Sequence, residues 1–133
     1  MSRGERLLAF IEAELGKPVV WGANGSDCSS WPKRWVEREL DIRLPIPSYY
    51  DEEGARALMA EAGGLVNIWN DVLGRAGLCS TLEPQVGDVG VLRTMHGQSG
   101  CIFDGHGHAF VRGSNGPTIL GPGKKTILAA YAI

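Results

Sequence analysis

The sequence predicts an α+β domain, with helices from the N-terminal half packed on an antiparallel β-sheet meander from the C-terminal half. Apolar residues recur at helical spacing as far as residue 75, whereas from Pro84 onward short β-type runs alternate with glycines. The helices precede the strands without regular alternation, which favours α+β over a doubly wound sheet. The 133 residues suffice for one compact core, and we expect residues 1–133 to form a single domain.

Two helices are predicted before residue 45. Ser2 and Glu5 have the spacing of a capping box at the start of the first helix. Ser26 or Asp27 is positioned to cap the second helix, which places Cys28 in its first turn. The apolar faces of these helices are predicted to hold Leu7, Leu8, Ile11, Leu15, Trp31, Trp35 and Val36.

Two further helices and five strands complete the predicted domain. Ser48 with Asp51 opens the third helix, and a short fourth helix follows at about 67–75. The residues of the third helix that are expected to face inward are Ala55, Leu58, Met59 and Ala62. The strands are predicted at 89–92, 100–103, 109–112, 118–120 and 127–133. The turn residues between neighbouring strands favour a meander.

Composition excludes several classes of protein. A net charge of −2 with scattered basic residues gives no face for nucleic acid. No apolar run approaches the roughly 20 residues of a spanning helix, so membrane insertion is not expected. The N-terminus lacks the pattern of a secretory signal, which predicts synthesis in the cytoplasm without export. Cys79 and Cys101 are expected to be small buried residues, because three widely spaced cysteines indicate neither disulfides nor zinc.

Cys28 is the candidate nucleophile. It follows a glycine-containing loop and begins a predicted helix, where partial positive charge and free N–H groups favour a thiolate. Asp27 either assists the thiolate or caps the helix. Trp21 is one of four tryptophans that are candidates for a saccharide or peptide platform, although Trp31 and Trp35, at helical spacing, are expected in the core. This segment favours hydrolase chemistry.

His106 and His108 lie on one face of a predicted strand, as two ligands of a metal would. The sequence offers no evident third ligand, and Asp104-Gly105 indicates a hairpin turn at this point. We therefore expect a turn here, and no metal or other cofactor.

Short motifs in a fixed order give the chain a resemblance to a known family. Trp21-Gly22 and Asp27-Cys28-Ser29, followed by Gly87-Asp88-Val89, resemble the NlpC branch of papain-like cell-wall cysteine peptidases. A longer series of short segments is also similar to a small group of NlpC-related phage and prophage proteins, and this similarity spans nearly the whole chain. The segments of that series are 62–65, 87–89, 100–103, 109–111 and 129–133.

The resemblance implies a cysteine at a helix start, a histidine base on the second strand and a polar residue on the next strand. Cys28 matches the cysteine, and Ser99 falls at the histidine position. The third position falls near Val111 or Arg112.

Another histidine is then needed as the base. His96 precedes Ser99 by three residues and is the favoured substitute, although it also fits a solvated loop. His106 and His108 are expected at the far end of the hairpin. Gln98 and Ser99 are candidates to orient the base or bind substrate.

Three functions follow as hypotheses. In the first, Cys28 and His96 cleave a peptide or amide bond of peptidoglycan stem peptides, in a virion protein at a phage tail tip. In the second, the same scaffold has lost catalysis and binds other tail-tip proteins as a structural component of the tip or its assembly. The third and weakest is a cytoplasmic thiol enzyme such as an acyltransferase.

Overall fold

The computed structural model describes residues 1–22, 25, 27–47, 51–95 and 97–133. These residues form four helices and one five-stranded sheet, which confirms the α+β class. The helices are α1 (Arg3–Glu12), α2 (Ser30–Leu40), α3 (Glu52–Ala62) and α4 (Leu65–Arg75). The strands are β1 (Val89–Thr94), β2 (Gly97–Phe103), β3 (Ala109–Gly113), β4 (Gly116–Leu120) and β5 (Ile127–Tyr131). None of the helices described is long and apolar enough to cross a membrane.

Helix α1 begins at the predicted cap, since the Ser2 hydroxyl accepts a hydrogen bond from the N–H of Glu5 at 3.1 Å. Its buried face differs in part from the prediction. Leu8 and Leu15, both predicted to face inward, are exposed. Phe10 is buried instead and stacks on Trp31 with ring centroids 5.4 Å apart. This contact sets the rotation of α1 and turns Leu8 outward, while Leu15 lies beyond the helix end.

The apolar face of α2 is confirmed, because its two tryptophans and Val36 are fully buried. In α3 only Ala55 is buried, and Ala62, predicted to face inward, is exposed. Asp51 caps α3 by accepting from the N–H of Gly54 at 2.7 Å, whereas Ser48 lies outside the described residues. Helix α3 therefore lies at the edge of the domain and contributes little to the core.

The sheet has the order β4-β3-β2-β1-β5, with every neighbouring pair antiparallel. The predicted meander holds for the first four strands and is wrong for β5, which crosses the sheet to pair with β1. Val89, Val91 and Leu92 of β1 are all buried. A strand that is apolar on both faces is unsuited to an exposed edge, and β5 shields it.

Two clusters of apolar residues pack on opposite faces of the sheet. The larger one, around Trp31, Trp35 and Trp69, joins α1, α2 and α4 to the sheet. The smaller one includes Cys101 and Phe103 on the other face. Successive residues of a strand point to opposite faces, so Ile102 belongs to the larger cluster and Cys101 to the smaller. Cys101 is buried as predicted, whereas Cys79 is exposed, since it lies in the loop after α4.

Candidate functional site

Asp27 builds the turn that carries Cys28. Its Oδ1 accepts hydrogen bonds from the N–H groups of Ser29 at 3.1 Å and Ser30 at 3.0 Å. Its backbone carbonyl accepts from the N–H of Trp31 at 3.0 Å. This confirms Asp27 as a cap, while Ser26, the alternative, lies outside the described residues. Cys28 therefore lies in the turn before α2, one residue ahead of the N-cap Ser29, and not in the first turn of the helix as predicted.

Two serines fix this turn to the rest of the domain. The indole N–H of Trp69, on α4, donates to the hydroxyl of Ser29 at 3.1 Å in a buried position. The hydroxyl of Ser30 donates to the carbonyl of Gly22 at 2.8 Å. The turn is thus held by α4 on one side and by the preceding loop on the other.

Gly100 brings β2 into direct contact with the same turn. A Cβ at Gly100 would lie 2.5 Å from the carbonyl oxygen of Cys28 and 3.1 Å from the ring of Trp69. Only a residue without a side chain fits between them. This packing sets Ser99, the neighbouring residue on β2, beside the cysteine.

The Cys28 side chain lies within hydrogen-bonding reach of the Ser99 hydroxyl and of the backbone at Gly100. Burial, reinforced by the negative charge of Asp27, raises the pKa of the thiol from 9.0 to about 11. The hydrogen bonds from Ser99 and the backbone favour the thiolate but do not offset these two effects. The helix start therefore does not produce an activated nucleophile in this arrangement.

Gln98 has a structural partner. Its Oε1 accepts from the N–H of Val66 at 2.9 Å, in the first turn of α4. A Cβ at Gly64 would lie within 3.0 Å of the Gln98 amide, so the two segments are closely packed. Gln98 thus satisfies a free N–H at a helix start.

Arg112, near the third position implied by the resemblance, is buried and anchors the loop before Trp21. Its guanidinium lies 3.0 Å from the carboxylate of Glu14 and donates to the carbonyl of Lys17 at 2.9 Å. The N–H of Val19 bonds to the carbonyl of Ser114 at 3.0 Å. Arg112 therefore connects β3 to the segment that leads to the cysteine loop.

Among the residues that the structure describes, no histidine interacts with Cys28. His96 lies outside the described residues. His108 Nδ1 is 3.1 Å from Asp104 Oδ2, and the N–H groups of His106 and His108 both bond to Asp104. This turn follows the end of β2 opposite to Ser99. In the part of the chain that the structure describes, no three His, Cys, Asp or Glu side chains are grouped to hold a metal ion.

A broad cleft of about 1440 Å³ opens over the site. Cys28 and Ser99 line it together with the half-buried Trp21. Helix α3 borders the cleft, and so do Met95 and Gly97 of the β1–β2 hairpin. An extended ligand lying in this cleft would contact both Cys28 and Trp21.

The Gly-Asp pair of the Gly87-Asp88-Val89 motif has a structural role. Gly87 has a φ of +85°, and its carbonyl accepts from the indole N–H of Trp35 at 2.7 Å. The buried Asp88 carboxylate accepts from the N–H groups of Gln85 at 2.8 Å and Ile133 at 3.1 Å. The motif therefore closes the turn into β1 and anchors the C-terminal end of the chain.

Three residues that build the site were not predicted from the sequence. Ser29 and Ser30 look like ordinary polar residues near a cap, and nothing in their pattern indicates buried partners. Gly100 did carry a signal, since a glycine within a predicted strand indicates close approach of another segment.

The chain belongs to the family described as a domain of unknown function, DUF6950, whose family model matches residues 2–132. No curated protein matches the chain.

Proposed function

We propose that this member of the DUF6950 family is a catalytically inactive, papain-like domain of the NlpC type that serves as a structural component of a phage tail tip or tail assembly. The observation that carries the proposal is the contact between Cys28 and Ser99. NlpC peptidases are expected to place a histidine base at the position of Ser99. A serine hydroxyl there can hydrogen-bond to the thiol but does not act as a base near neutral pH.

The arrangement of the elements supports the NlpC-type assignment. Cys28 lies in the turn that leads into α2, this helix packs against an antiparallel sheet, and Ser99 approaches Cys28 from β2. This is the order of elements that the resemblance implies. The tail-tip context is proposed from the similarity of the motif series to phage and prophage proteins.

The charge environment of Cys28 supports the loss of catalysis. A pKa of about 11 leaves about one thiol in 10,000 ionised at pH 7. Nucleophilic cysteines carry a lowered pKa, supplied by a neighbouring cation or histidine. Among the residues that the structure describes, the charged neighbour is the Asp27 carboxylate, which accepts hydrogen bonds from Ser29 and Ser30.

A second candidate function is an active cysteine peptidase or amidase acting on peptidoglycan stem peptides, with His96 as the base. The observation in its favour is that Met95 and Gly97, which flank His96 in the sequence, line the same cleft as Cys28. In this alternative His96 takes the proton of the Cys28 thiol, the thiolate attacks the carbonyl carbon, and the amine leaves with that proton. Water then hydrolyses the thioester and restores the thiol.

Dye release from labelled peptidoglycan distinguishes the two functions. We expect the wild-type protein and Cys28→Ala to release equal, background amounts of dye. Release by the wild type that is lost in both Cys28→Ala and His96→Ala contradicts the inactive domain and supports the peptidase. Circular dichroism of each variant checks that it is folded.

Mass spectrometry of purified phage particles tests the structural role. We expect the chain in intact particles, or in tail-assembly intermediates isolated from a host producing them. A chain recovered only as free protein, with neither particles nor tail intermediates containing it, contradicts the tail role.

A further inference from the structure

The two edges of the sheet differ in how their backbone groups are satisfied. The outer edge of β5 is covered by residues 79–81, with hydrogen bonds of 2.9 Å from Thr81 N–H to the Ala130 carbonyl and from Ala132 N–H to the Cys79 carbonyl. Within the described ranges, no backbone group bonds to the outer edge of β4. An open edge of this kind is a template for another strand.

The register of β4 shows which of its groups point outward. The Gly113↔Gly116 pair closes a two-residue turn, so Gly116, Thr118 and Leu120 direct their backbone groups toward β3. Pro117 and Ile119 then direct theirs away from the sheet. Pro117 has no N–H, so its outward position costs the β3–β4 ladder no hydrogen bond.

The side chains around this edge are apolar and exposed. Ile119 is 53% exposed and Leu120 is 36% exposed. Leu15, 59% exposed, lies close to Gly116 at the start of the strand. No charged residue occurs between Arg112 and Lys124, so β4 lacks the charges that commonly protect an edge from pairing.

We infer that β4 pairs antiparallel with β4 of a second copy of this chain, about a two-fold axis at Ile119. The N–H and carbonyl of Ile119 bond to the carbonyl and N–H of the same residue in the second copy. Each Pro117 carbonyl accepts from Gly121 of the other copy. The two sheets join into one continuous sheet, and the uncharged strands meet without like-charge repulsion.

Pro117 favours a second copy over a longer strand of another protein. In the self-paired arrangement one group in each copy is left without a donor, the carbonyl of Gly121, which lies beyond the end of β4 and is exposed. A longer strand would bury a carbonyl opposite Pro117 that has no donor. One short strand pair makes a small interface, so the dimer is weak and depends on concentration.

Sedimentation equilibrium from about 10 µM to about 1 mM protein tests the inference. We expect the wild type to shift from monomer toward dimer across this range. Ile119→Pro removes the outward N–H, which β3 does not use, together with the exposed Ile119 side chain, and should give a folded monomer. Leu82→Lys, at a fully exposed apolar residue elsewhere, should dimerise like the wild type.

A wild type that stays monomeric overturns the inference and leaves the edge to a strand of another protein. Dimerisation of folded Ile119→Pro at wild-type strength also overturns it. If circular dichroism shows that Ile119→Pro is unfolded, Ile119→Lys is tested in its place, because it puts a charge on the edge without removing the N–H. A folded Ile119→Lys protein with undiminished dimer overturns the inference, and at least a tenfold weaker dimer supports it.

Discussion

Arg112 and Glu14 form a partly buried ion pair with 3.0 Å between guanidinium nitrogen and carboxylate oxygen, although they are 98 positions apart in the sequence. The Arg112 side chain is fully buried and also donates to the carbonyls of Lys17, Pro18 and Gly113. This single side chain therefore fixes the start of the loop that carries Trp21 against β3.

Replacement of Arg112 by glutamine should lower the free energy of unfolding by about 3–5 kcal/mol, because it leaves a carboxylate and several carbonyls without their donor. Urea denaturation measures this change. Arg75→Gln is the control, since Arg75 forms an exposed pair with Asp71, and its loss should cost less than about 1 kcal/mol. Equal effects in the two variants would contradict the anchoring role of Arg112.

Gly100→Ala should destabilise the protein by about 2 kcal/mol or more, because the new Cβ meets the Cys28 carbonyl at 2.5 Å. Gly74→Ala is the matched change within α4, where a Cβ meets nothing within 4 Å. It should stabilise the protein by about 0.5–1 kcal/mol. Thermal unfolding should show a lower melting temperature for Gly100→Ala and a higher one for Gly74→Ala. A Gly100→Ala protein as stable as the wild type would rule out the close contact between β2 and the turn.

Ser29→Ala should cost about 1–3 kcal/mol, because the buried indole N–H of Trp69 loses its acceptor. Ser80→Ala, at an exposed serine in the loop after α4, should change stability by less than about 0.5 kcal/mol. Guanidinium denaturation followed by tryptophan fluorescence measures both. If the two substitutions are equivalent, the link between α4 and the cysteine turn contributes nothing.

The reactivity of Cys28 with iodoacetamide should rise with pH toward a midpoint of about 11. The measurement uses a Cys79→Ser background, because Cys79 is exposed and would react as well. Ser99→His in the same background should increase the rate at pH 7.5 at least tenfold, since a protonated imidazole beside the sulfur stabilises the thiolate. A wild-type midpoint near 7 would contradict the inactive site.

Cys28 should also make stability depend on alkaline pH. Its pKa rises from 9.0 to about 11 on folding, so the native state holds the proton more tightly than the unfolded state. The stabilisation is complete below pH 9 and is lost as the pH rises toward 11. Urea denaturation should therefore show that the wild type loses stability relative to Cys28→Ala between pH 9 and pH 11. A constant difference would show that the thiol titrates normally in the native state.

Local sequence patterns predicted most of the elements correctly. Ser2 caps α1 where its spacing to Glu5 indicated, and Asp27 caps the turn before α2. Helix α3 is capped by Asp51, three residues after Ser48, with which the pattern opened the helix. These predictions succeed because a cap depends on residues only two or three positions apart. The pairing of β5 with β1 was not predictable in this way, since it depends on which strand the helices bury.

Burial on α1 shows the same limit. The spacing of Leu7, Leu8 and Ile11 predicts an apolar face, but the position of Trp31 decides that Phe10 belongs to that face and Leu8 does not. Rotation of a helix about its axis is fixed by its neighbours, which the local pattern does not contain.

The order of residues is enough to place Cys28 next to Asp27, shortly before a helix, and Ser99 at the strand position that matches it. The state of the thiol depends instead on what packs around it in the folded chain. Hydrogen bonds from Ser99 and from the backbone at Gly100 and Cys28 favour a thiolate, whereas burial and the Asp27 charge raise the pKa of Cys28 to about 11. Burial and the Asp27 charge outweigh the hydrogen bonds, because the segments packed around the sulfur exclude water from it. One of these segments is β2, which Gly100 allows to come close.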